Sequence, residues 1–273
     1  MKPCFSTFVV TLLVLVLLGA LGGTSRLLTS PEPEYRPVVL MHGIVGSAST
    51  MNTAKGWIER DFPGIYVHNA EIGDGVVSSV ILSMNKQVSE LAASLRADPR
   101  LSRGFNMVCH SQGGLLCRAY VERFNNPPVY NLMSWAGPNS GVYGVPLLNG
   151  YCPPDLCAYI DNRFDELLNG KLNKELQEHF SFASYWKDPL DYATYLAEND
   201  FLADINNERL QKNATYRENL ISLNTLALQY STADRTVVPR TSPWFEFYSI
   251  GQDRTLTMWN TSEQYIEDWI GMR

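Results

Sequence analysis

The feature that most constrains the fold is an alternation of short apolar runs with helical patterns. Apolar runs typical of buried strands lie at Val38–Met41, 65–67, 105–109 and Val129–Trp135. Before the third run, apolar residues spaced 3,4,3,4 over 81–95 predict a helix that the Asp98-Pro99 pair ends. A second helix is predicted at 114–124. This order predicts an α/β fold with a mostly parallel central sheet and helices on both faces.

The regular alternation stops near Gly141. Residues 141–218 combine many aromatic side chains with helical stretches and no clear strand pattern, which predicts a helical insertion over the sheet. A strand pattern resumes at 226–230 and leads into a loop that ends at Asp234. Of the 273 residues, 45% are hydrophobic and 18% charged, which excludes an intrinsically disordered chain. The net charge of −6 excludes a general nucleic-acid binder.

Residues 1–23 have the pattern of a cleaved secretory signal peptide. Lys2 precedes an uncharged apolar stretch at 5–18, and small residues follow it up to Gly23. The alternative is an uncleaved anchor, because the uncharged stretch 3–25 is long enough to span a bilayer. We expect cleavage, since the end of that stretch is weakly apolar, and we expect no stable membrane span after the signal is removed.

Four cysteines remain once the signal and Cys4 are removed, and an even number favours two disulfides in a secretory compartment. Their spacing suggests local pairs, although four cysteines allow three connectivities; the pairs are Cys109–Cys117 and Cys152–Cys157. A zinc site is the rival interpretation, but the chain has no C-x-x-C pair. Sequons for N-glycosylation at Asn213 and Asn260 are consistent with the same compartment.

A candidate nucleophile lies between the strand predicted at 105–109 and the next helix. The sequence there is His110-Ser111-Gln112-Gly113-Gly114, the context of a nucleophile elbow, in which a serine sits on a sharp strand-to-helix turn. Cys109 stands where the G-x-S-x-G pattern has its first glycine. The alternative is an ordinary serine in a glycine-rich turn, but the position between strand and helix favours the elbow.

A serine nucleophile needs a base, an acid that orients the base, and amides for the oxyanion. Asp234, in a loop just after a strand, is the predicted acid, and Asp253 is the next candidate. The predicted oxyanion amides belong to Gln112 and Ile44. No metal or organic cofactor is needed. Each histidine precedes Asp234, so none occupies the position of a catalytic histidine in this fold; they are His42, His68, His110 and His179.

The chain resembles the palmitoyl-protein thioesterases of the lysosome over residues 37–273. The resemblance is carried by Val-Val-Leu-Met-His-Gly at 38–43, His-Ser-Gln-Gly-Gly at 110–114, Tyr-Trp-Lys-Asp-Pro at 185–189, Phe-Leu-Ala-Asp-Ile-Asn-Asn-Glu-Arg at 201–209 and Trp-Phe-Glu-Phe-Tyr at 244–248. It implies an α/β-hydrolase that removes long fatty acyl groups from cysteine thioesters.

The resemblance also implies roles for individual residues. Ser111 matches the family's nucleophile and Asp234 its acid, Ile44 and Gln112 match the oxyanion amides, and the insertion matches the part that builds the acyl groove. The pair Cys152–Cys157 matches a short disulfide loop of the family. The family's histidine lies in a Gly-Asp-His segment beyond residue 273. We therefore expect the 273-residue chain to lack a terminal strand and helix, to have an unpaired sheet edge, and to be inactive and poorly stable.

Three functional hypotheses follow. The first is a soluble lysosomal or vacuolar thioesterase whose substrates are S-acylated proteins, peptides or acyl thioesters. The second is a secreted lipase or carboxylesterase that acts on an oxygen ester. The third is a non-catalytic lipid-binding relative that has lost the base. Comparing the hydrolysis rates of acyl thioesters and acyl oxygen esters distinguishes the thioesterase from the lipase or carboxylesterase. Any hydrolysis that depends on Ser111 distinguishes both enzymes from the non-catalytic relative.

Overall fold

A computed structural model describes residues 35–145 and 152–273, and the predicted signal peptide at 1–23 lies outside these ranges. The strands are β1 (Val38–Met41), β2 (Val67–Ala70), β3 (Phe105–His110), β4 (Val129–Trp135), β5 (Thr225–Gln229), β6 (Phe247–Tyr248) and β7 (Leu256–Thr257). The α-helices are α1 (Asn52–Asp61), α2 (Ser78–Ile81), α3 (Met84–Ala97), α4 (Gln112–Arg123), α5 (Pro154–Leu168), α6 (Lys174–His179), α7 (Tyr192–Glu198), α8 (Leu202–Ile205), α9 (Ala214–Ile221) and α10 (Glu263–Ile266).

Five of the strands form one parallel sheet in the order β2-β1-β3-β4-β5. Successive side chains of a strand point to opposite faces, and β1 shows the consequence. Val39 and Met41 join a large hydrophobic core with residues of α3 and α4, whereas Val38 and Leu40 join a second core that includes Ala54 of α1. Helices therefore cover both faces of the sheet, which confirms the predicted α/β fold.

The second strand begins two residues later and ends three residues later than its apolar run suggests. The prediction was 65–67, but β2 is Val67–Ala70, and Ile65 instead belongs to the turn that follows α1, where its amide bonds to Phe62. β2 is an outer strand of the sheet, so it tolerates the polar side chains of His68 and Asn69. Because of these polar residues, a search for apolar runs does not locate this strand correctly.

The helix predicted over 81–95 is divided in two. Helix α2 ends at Ile81, and α3 begins after Ser83, whose side chain accepts a hydrogen bond from the amide of Lys86 at 3.3 Å. Serine is a preferred residue at this capping position. The apolar spacing continues across the cap, so periodicity alone could not locate the break.

Helices α5 to α9 occupy the chain between β4 and β5, where the insertion was predicted. Aromatic side chains of α5 and of the segment between α6 and α7 pack in edge-to-face pairs, with ring centroids 4.6 Å apart for Phe164 and Phe182 and 5.5 Å apart for Phe164 and Phe180. A disulfide joins Cys152 to Cys157 at the start of α5. Residues 146–151 of the insertion lie outside the described ranges.

Strand β5 lies at one end of the sheet and pairs only with β4 among the described residues. A cavity of about 660 Å³ lies beside it, with Leu226, Trp244 and Trp259 among its lining side chains. Within the described ranges, no helix has the length and apolar character to cross a membrane.

Candidate active site

Ser111 occupies the sharp turn between β3 and α4. Its backbone angles are φ 54° and ψ −127°, a left-handed conformation that is uncommon for a residue with a side chain. The Ser111 amide donates a hydrogen bond to the carbonyl of Trp135 at 2.7 Å, so β4 holds the turn in place. A serine in such a turn, after a buried strand and before a helix, has the geometry of a nucleophile elbow.

Two glycines allow the loop after β1 to approach the elbow. A Cβ added at Gly43 would lie 2.8 Å from the Cβ of Ser111 and 3.3 Å from its Oγ. A Cβ added at Gly113 would lie 2.4 Å from the carbonyl oxygen of His42. Larger residues at these two positions would collide with the neighbouring segment, so the sequence leaves room for the loop at 42–46 to lie against Ser111.

The cysteine that replaces glycine two residues before Ser111 is fully buried and bonded to α4. The Cys109–Cys117 disulfide ties the end of β3 to the second turn of that helix, with the Cα atoms 6.5 Å apart. A covalent bond thus joins the strand before Ser111 to the helix after it.

The two amides predicted for the oxyanion hole belong to the segments that flank Ser111. Ile44 lies in the loop that contacts the elbow, and Gln112 is the first residue of α4, where backbone amides carry partial positive charge. Neither amide donates a hydrogen bond to another residue in the described part of the chain. Both are therefore free to donate to an oxyanion.

Asp234 is held in a tight turn by its own carboxylate. Its Oδ1 accepts hydrogen bonds from the amides of Thr236 at 2.8 Å and Val237 at 3.1 Å. Its Oδ2 has no hydrogen-bond partner among the residues that the structure describes. The turn therefore fixes the carboxylate and leaves one oxygen available, as an acid that orients an imidazole requires.

Asp234 and the elbow are electrically coupled through His110. The protein around His110 lowers the pKa of its imidazole by desolvation, the negative charge of Asp234 acts in the opposite direction, and His42 adds to the lowering. The negative charge of Asp234 thus acts on the residue that precedes Ser111.

His42 has a structural role in the loop beside the nucleophile. Its Nδ1 donates to the carbonyl of Gly43 at 2.8 Å, which places a proton on Nδ1, and burial lowers the pKa of its imidazole. In the described ranges its buried Nε2 has no partner.

The other histidines also lie outside a catalytic arrangement. His68 contacts Asp98 at 3.3 Å, and His179 ends α6. No histidine of the described residues forms a hydrogen bond with Ser111 or with the Asp234 carboxylate. Within those residues there is also no group of three potential metal ligands.

Sequence reasoning missed the polar side chains around Gln112. The Gln112 side chain is buried and bonds to groups from three other elements, including Ser79, Gln87 and Tyr185. One signal was present: Gln87 falls three residues after Met84 and four before Leu91, on the apolar face of α3. A glutamine on such a face indicates a buried polar partner, because an unpaired buried amide is costly.

Taken together, the parallel sheet and the strained serine between strand and helix define an α/β-hydrolase. The family model described as "Palmitoyl protein thioesterase" matches residues 37–273. The chain therefore belongs to the palmitoyl protein thioesterase family, which confirms the resemblance found in the sequence.

Curated relatives agree with this assignment. "Palmitoyl-protein thioesterase 3" of Dictyostelium discoideum is 44% identical over 238 residues, which cover 87% of this chain and 79% of that protein. "Palmitoyl-protein thioesterase 1" of Caenorhabditis elegans is 35% identical over 87% of this chain and 80% of its own length. The human "Lysosomal thioesterase PPT2" is 29% identical over 90% of this chain and 80% of its own length.

Proposed function

We propose that the protein hydrolyses long-chain fatty acyl groups from S-acylated cysteines, with Ser111 as the nucleophile. The observation that carries the proposal is the strained elbow of Ser111 against the Gly43 loop in a chain that matches the thioesterase family over 37–273. The site residues are assigned by geometry and by family resemblance.

Acylation proceeds by attack of the Ser111 Oγ on the thioester carbonyl carbon. The Oγ–H proton passes to a catalytic histidine of the kind that the family resemblance implies, oriented by Asp234. The amides of Ile44 and Gln112 hold the oxyanion. The tetrahedral intermediate collapses, the C–S bond breaks, and the sulfur takes the proton and leaves as a cysteine thiol.

Deacylation repeats the steps with water as the nucleophile. The histidine removes a proton from water, the resulting hydroxide attacks the acyl ester, and the C–Oγ bond breaks as Ser111 recovers its proton. The products are a free fatty acid and the original enzyme. No cofactor takes part in this sequence.

The acyl chain is assigned to the insertion. Its aromatic side chains pack into an apolar cluster that includes Phe164 and Phe182, and Tyr185 bonds to the side chain of Gln112, which adjoins Ser111. An acyl chain bound along the insertion would therefore have its carboxyl end near Ser111. This assignment favours long acyl chains over short ones.

We propose a compartment of the secretory pathway, the lysosome or vacuole, as the site of action. The two disulfides suit an oxidising compartment, and similar proteins bear the name lysosomal thioesterase. Asn213 and Asn260 are both exposed, which an attached glycan requires. A loss of mass after enzymatic removal of N-glycans, abolished in an Asn213→Gln/Asn260→Gln variant, tests the glycosylation.

The proposed activity is tested by comparing two palmitoylated peptides that differ in one atom. One carries the acyl group on cysteine as a thioester and the other carries it on serine as an oxygen ester. We expect the full-length protein to hydrolyse the thioester faster, and Ser111→Ala to abolish the reaction. Ser102→Ala is the matched control, since Ser102 is an exposed serine that bonds only to the carbonyl of Pro99.

Two outcomes would contradict the proposal. Faster hydrolysis of the oxygen ester would identify a lipase or carboxylesterase. Binding of palmitate without any Ser111-dependent turnover would identify a non-catalytic lipid-binding protein.

A further inference from the structure

The two halves of the proposed oxyanion hole meet at one buried serine of α2. The amide of Val45, the residue after Ile44, donates to the Oγ of Ser79 at 2.8 Å. The same Oγ donates its proton to the carbonyl of Val76 at 2.8 Å, so its hydroxyl is oriented to accept from Val45. Ser79 therefore holds the loop that carries the first oxyanion amide.

The main chain of Ser79 holds the second half. The Ser79 carbonyl accepts a hydrogen bond from Nε2 of Gln112 at 2.8 Å and another from Nε2 of Gln87 at 3.2 Å. Gln112 supplies the second oxyanion amide, and its side chain is almost completely buried. One residue thus binds the amide next to Ile44 through its hydroxyl and the side chain of Gln112 through its carbonyl.

The insertion joins the same cluster. The Oε1 of Gln112 accepts from the hydroxyl of Tyr185 at 2.9 Å. The hydroxyl of Ser181 lies 2.7 Å from the Ser79 carbonyl oxygen and 2.9 Å from the Gln112 Oε1. Because it carries one proton, it donates to one of these two oxygens at a time. These groups are buried, so their hydrogen bonds are made in a region of low dielectric where geometry is strongly enforced.

The loop after β1 depends on such support. Val45 has a φ of 58°, a conformation that is unfavourable for a β-branched residue and persists only where the surrounding structure enforces it. The hydrogen bond from its amide to Ser79 is a direct constraint of this kind. Without it, the buried Val45 amide would lose its partner, and the adjacent Ile44 amide would lose its fixed direction.

We propose that Ser79 is a positioning residue that keeps the amides of Ile44 and Gln112 at a fixed separation around the thioester oxyanion. Ser79 acts through these two residues and does not touch the substrate. This inference rests on the proposed function, because it assigns a role to Ser79 in the same reaction.

Three variants of the full-length protein test the role. Ser79→Ala removes the hydroxyl bond to Val45 and leaves the hydrogen bonds of the Ser79 carbonyl with Gln112 and Gln87 intact. Ser79→Thr restores the hydroxyl, since a threonine in a helix can make the same bond to the carbonyl three residues earlier. Ser134→Ala is the matched control, because Ser134 is equally buried and its Oγ has no partner among the described residues.

We expect Ser79→Ala to lower kcat for a palmitoyl-thioester peptide by about 10-fold to 100-fold, less than the complete loss of an oxyanion donor. KM stays within about 2-fold, because the ground-state thioester makes little use of the hole. Affinity for hexadecyl trifluoromethyl ketone, whose adduct with serine carries an oxyanion, falls in parallel with kcat. Hydrogen exchange of the backbone amides in the 42–46 loop becomes faster in Ser79→Ala. In Ser79→Thr we expect kcat, inhibitor affinity and the exchange rate to return most of the way to their wild-type values.

An unchanged kcat in Ser79→Ala, or an equal loss of kcat in Ser134→Ala, would overturn the inference. The proposed function would still stand, provided that the wild-type protein hydrolyses the thioester. A higher KM with an unchanged kcat would also overturn it, because it would make Ser79 a substrate contact. Wild-type protein without Ser111-dependent thioester turnover would overturn the proposed function and this inference together.

Discussion

At the level of single residues, Ser111 and two glycines constrain one another. Ser111 has a positive φ of 54°, and the space around it exists because Gly43 and Gly113 have no side chains. The motif at 110–114 predicts this arrangement because it is local in sequence. The loop that Gly43 brings to Ser111 comes from a distant part of the chain, so only the parallel pairing of β1 with β3 explains their contact.

We expect Asp234→Asn to lower turnover of a palmitoyl thioester by about 10⁴-fold, as the corresponding change does in a serine protease. The asparagine oxygen can still accept from the amides of Thr236 and Val237, so the turn is retained. The amide nitrogen, however, takes the place of Oδ2, the oxygen that orients the histidine in the proposed mechanism, and favours the wrong tautomer. Steady-state kinetics with a circular-dichroism check of folding measures the effect.

Asp253→Asn is the comparison for this prediction, because Asp253 is the next candidate for the acid. It should leave turnover within about 3-fold of the wild-type value, as substitutions away from the reacting groups do. Near-normal turnover in Asp234→Asn together with a large loss in Asp253→Asn would move the acid to Asp253.

At the level of secondary-structure elements, α4 connects the nucleophile to the insertion through a buried polar face. Arg118 donates to the side chain of Asn206 at 2.8 Å, to that of Asn139 at 3.1 Å and to Glu122 at 3.0 Å. Arg118 and Glu122 are almost fully buried. The helix that begins beside Ser111 is thereby fixed to α8 and to the segment after β4.

Glu122 makes the free energy of unfolding of the protein depend on pH. Burial raises the pKa of its carboxyl from 4.5 to about 7, and the positive charges of Arg118 and Arg123 only partly oppose that effect. Between these two values the folded state binds more protons than the unfolded state, so the free energy of unfolding falls as pH rises. The contribution of the Glu122 carboxyl to the free energy of unfolding is complete below pH 4.5. It is lost as the pH rises through about 7.

We expect Glu122→Gln to remove this pH dependence. Relative to the wild-type protein, the variant's free energy of unfolding should rise by roughly 2–3 kcal/mol between about pH 4.5 and pH 7.5. Denaturant unfolding at several pH values measures the difference, with Glu90→Gln on the exposed face of α3 as the control. Curves for Glu122→Gln and wild type that stay parallel over this range would contradict the prediction.

The elements also show what a sequence can predict. β4 was predicted to the residue because its largely apolar segment coincides with a strand in the interior of the sheet. β2 and the start of α3 were misplaced, because an outer strand tolerates polar residues and because a serine cap can interrupt an apolar periodicity without changing it. Buried polar contacts such as Arg118 with Asn206 join residues 88 positions apart, and no local pattern reveals them.

At the level of the whole molecule, the fold, the elbow and the family assignment point to the same reaction. The α/β sheet presents Ser111 at the end of β3, β5 leads to Asp234, and the insertion lies between β4 and β5. The fold class and the elbow that holds Ser111 could be predicted from the sequence, since both depend on short segments. The polar cluster around Ser79 did not, because it assembles side chains from α2, α3, α4 and the insertion.

The most direct test of the central claim is to trap the acyl-enzyme. The full-length protein is mixed with a palmitoyl-thioester peptide, quenched with acid within the first turnover, digested and mapped by mass spectrometry. The account predicts one palmitoyl group per enzyme, attached to Ser111, with one equivalent of thiol released, and neither in Ser111→Ala. Thiol release that persists in Ser111→Ala, or a palmitoyl group attached to another residue, would contradict the claim that Ser111 is the nucleophile.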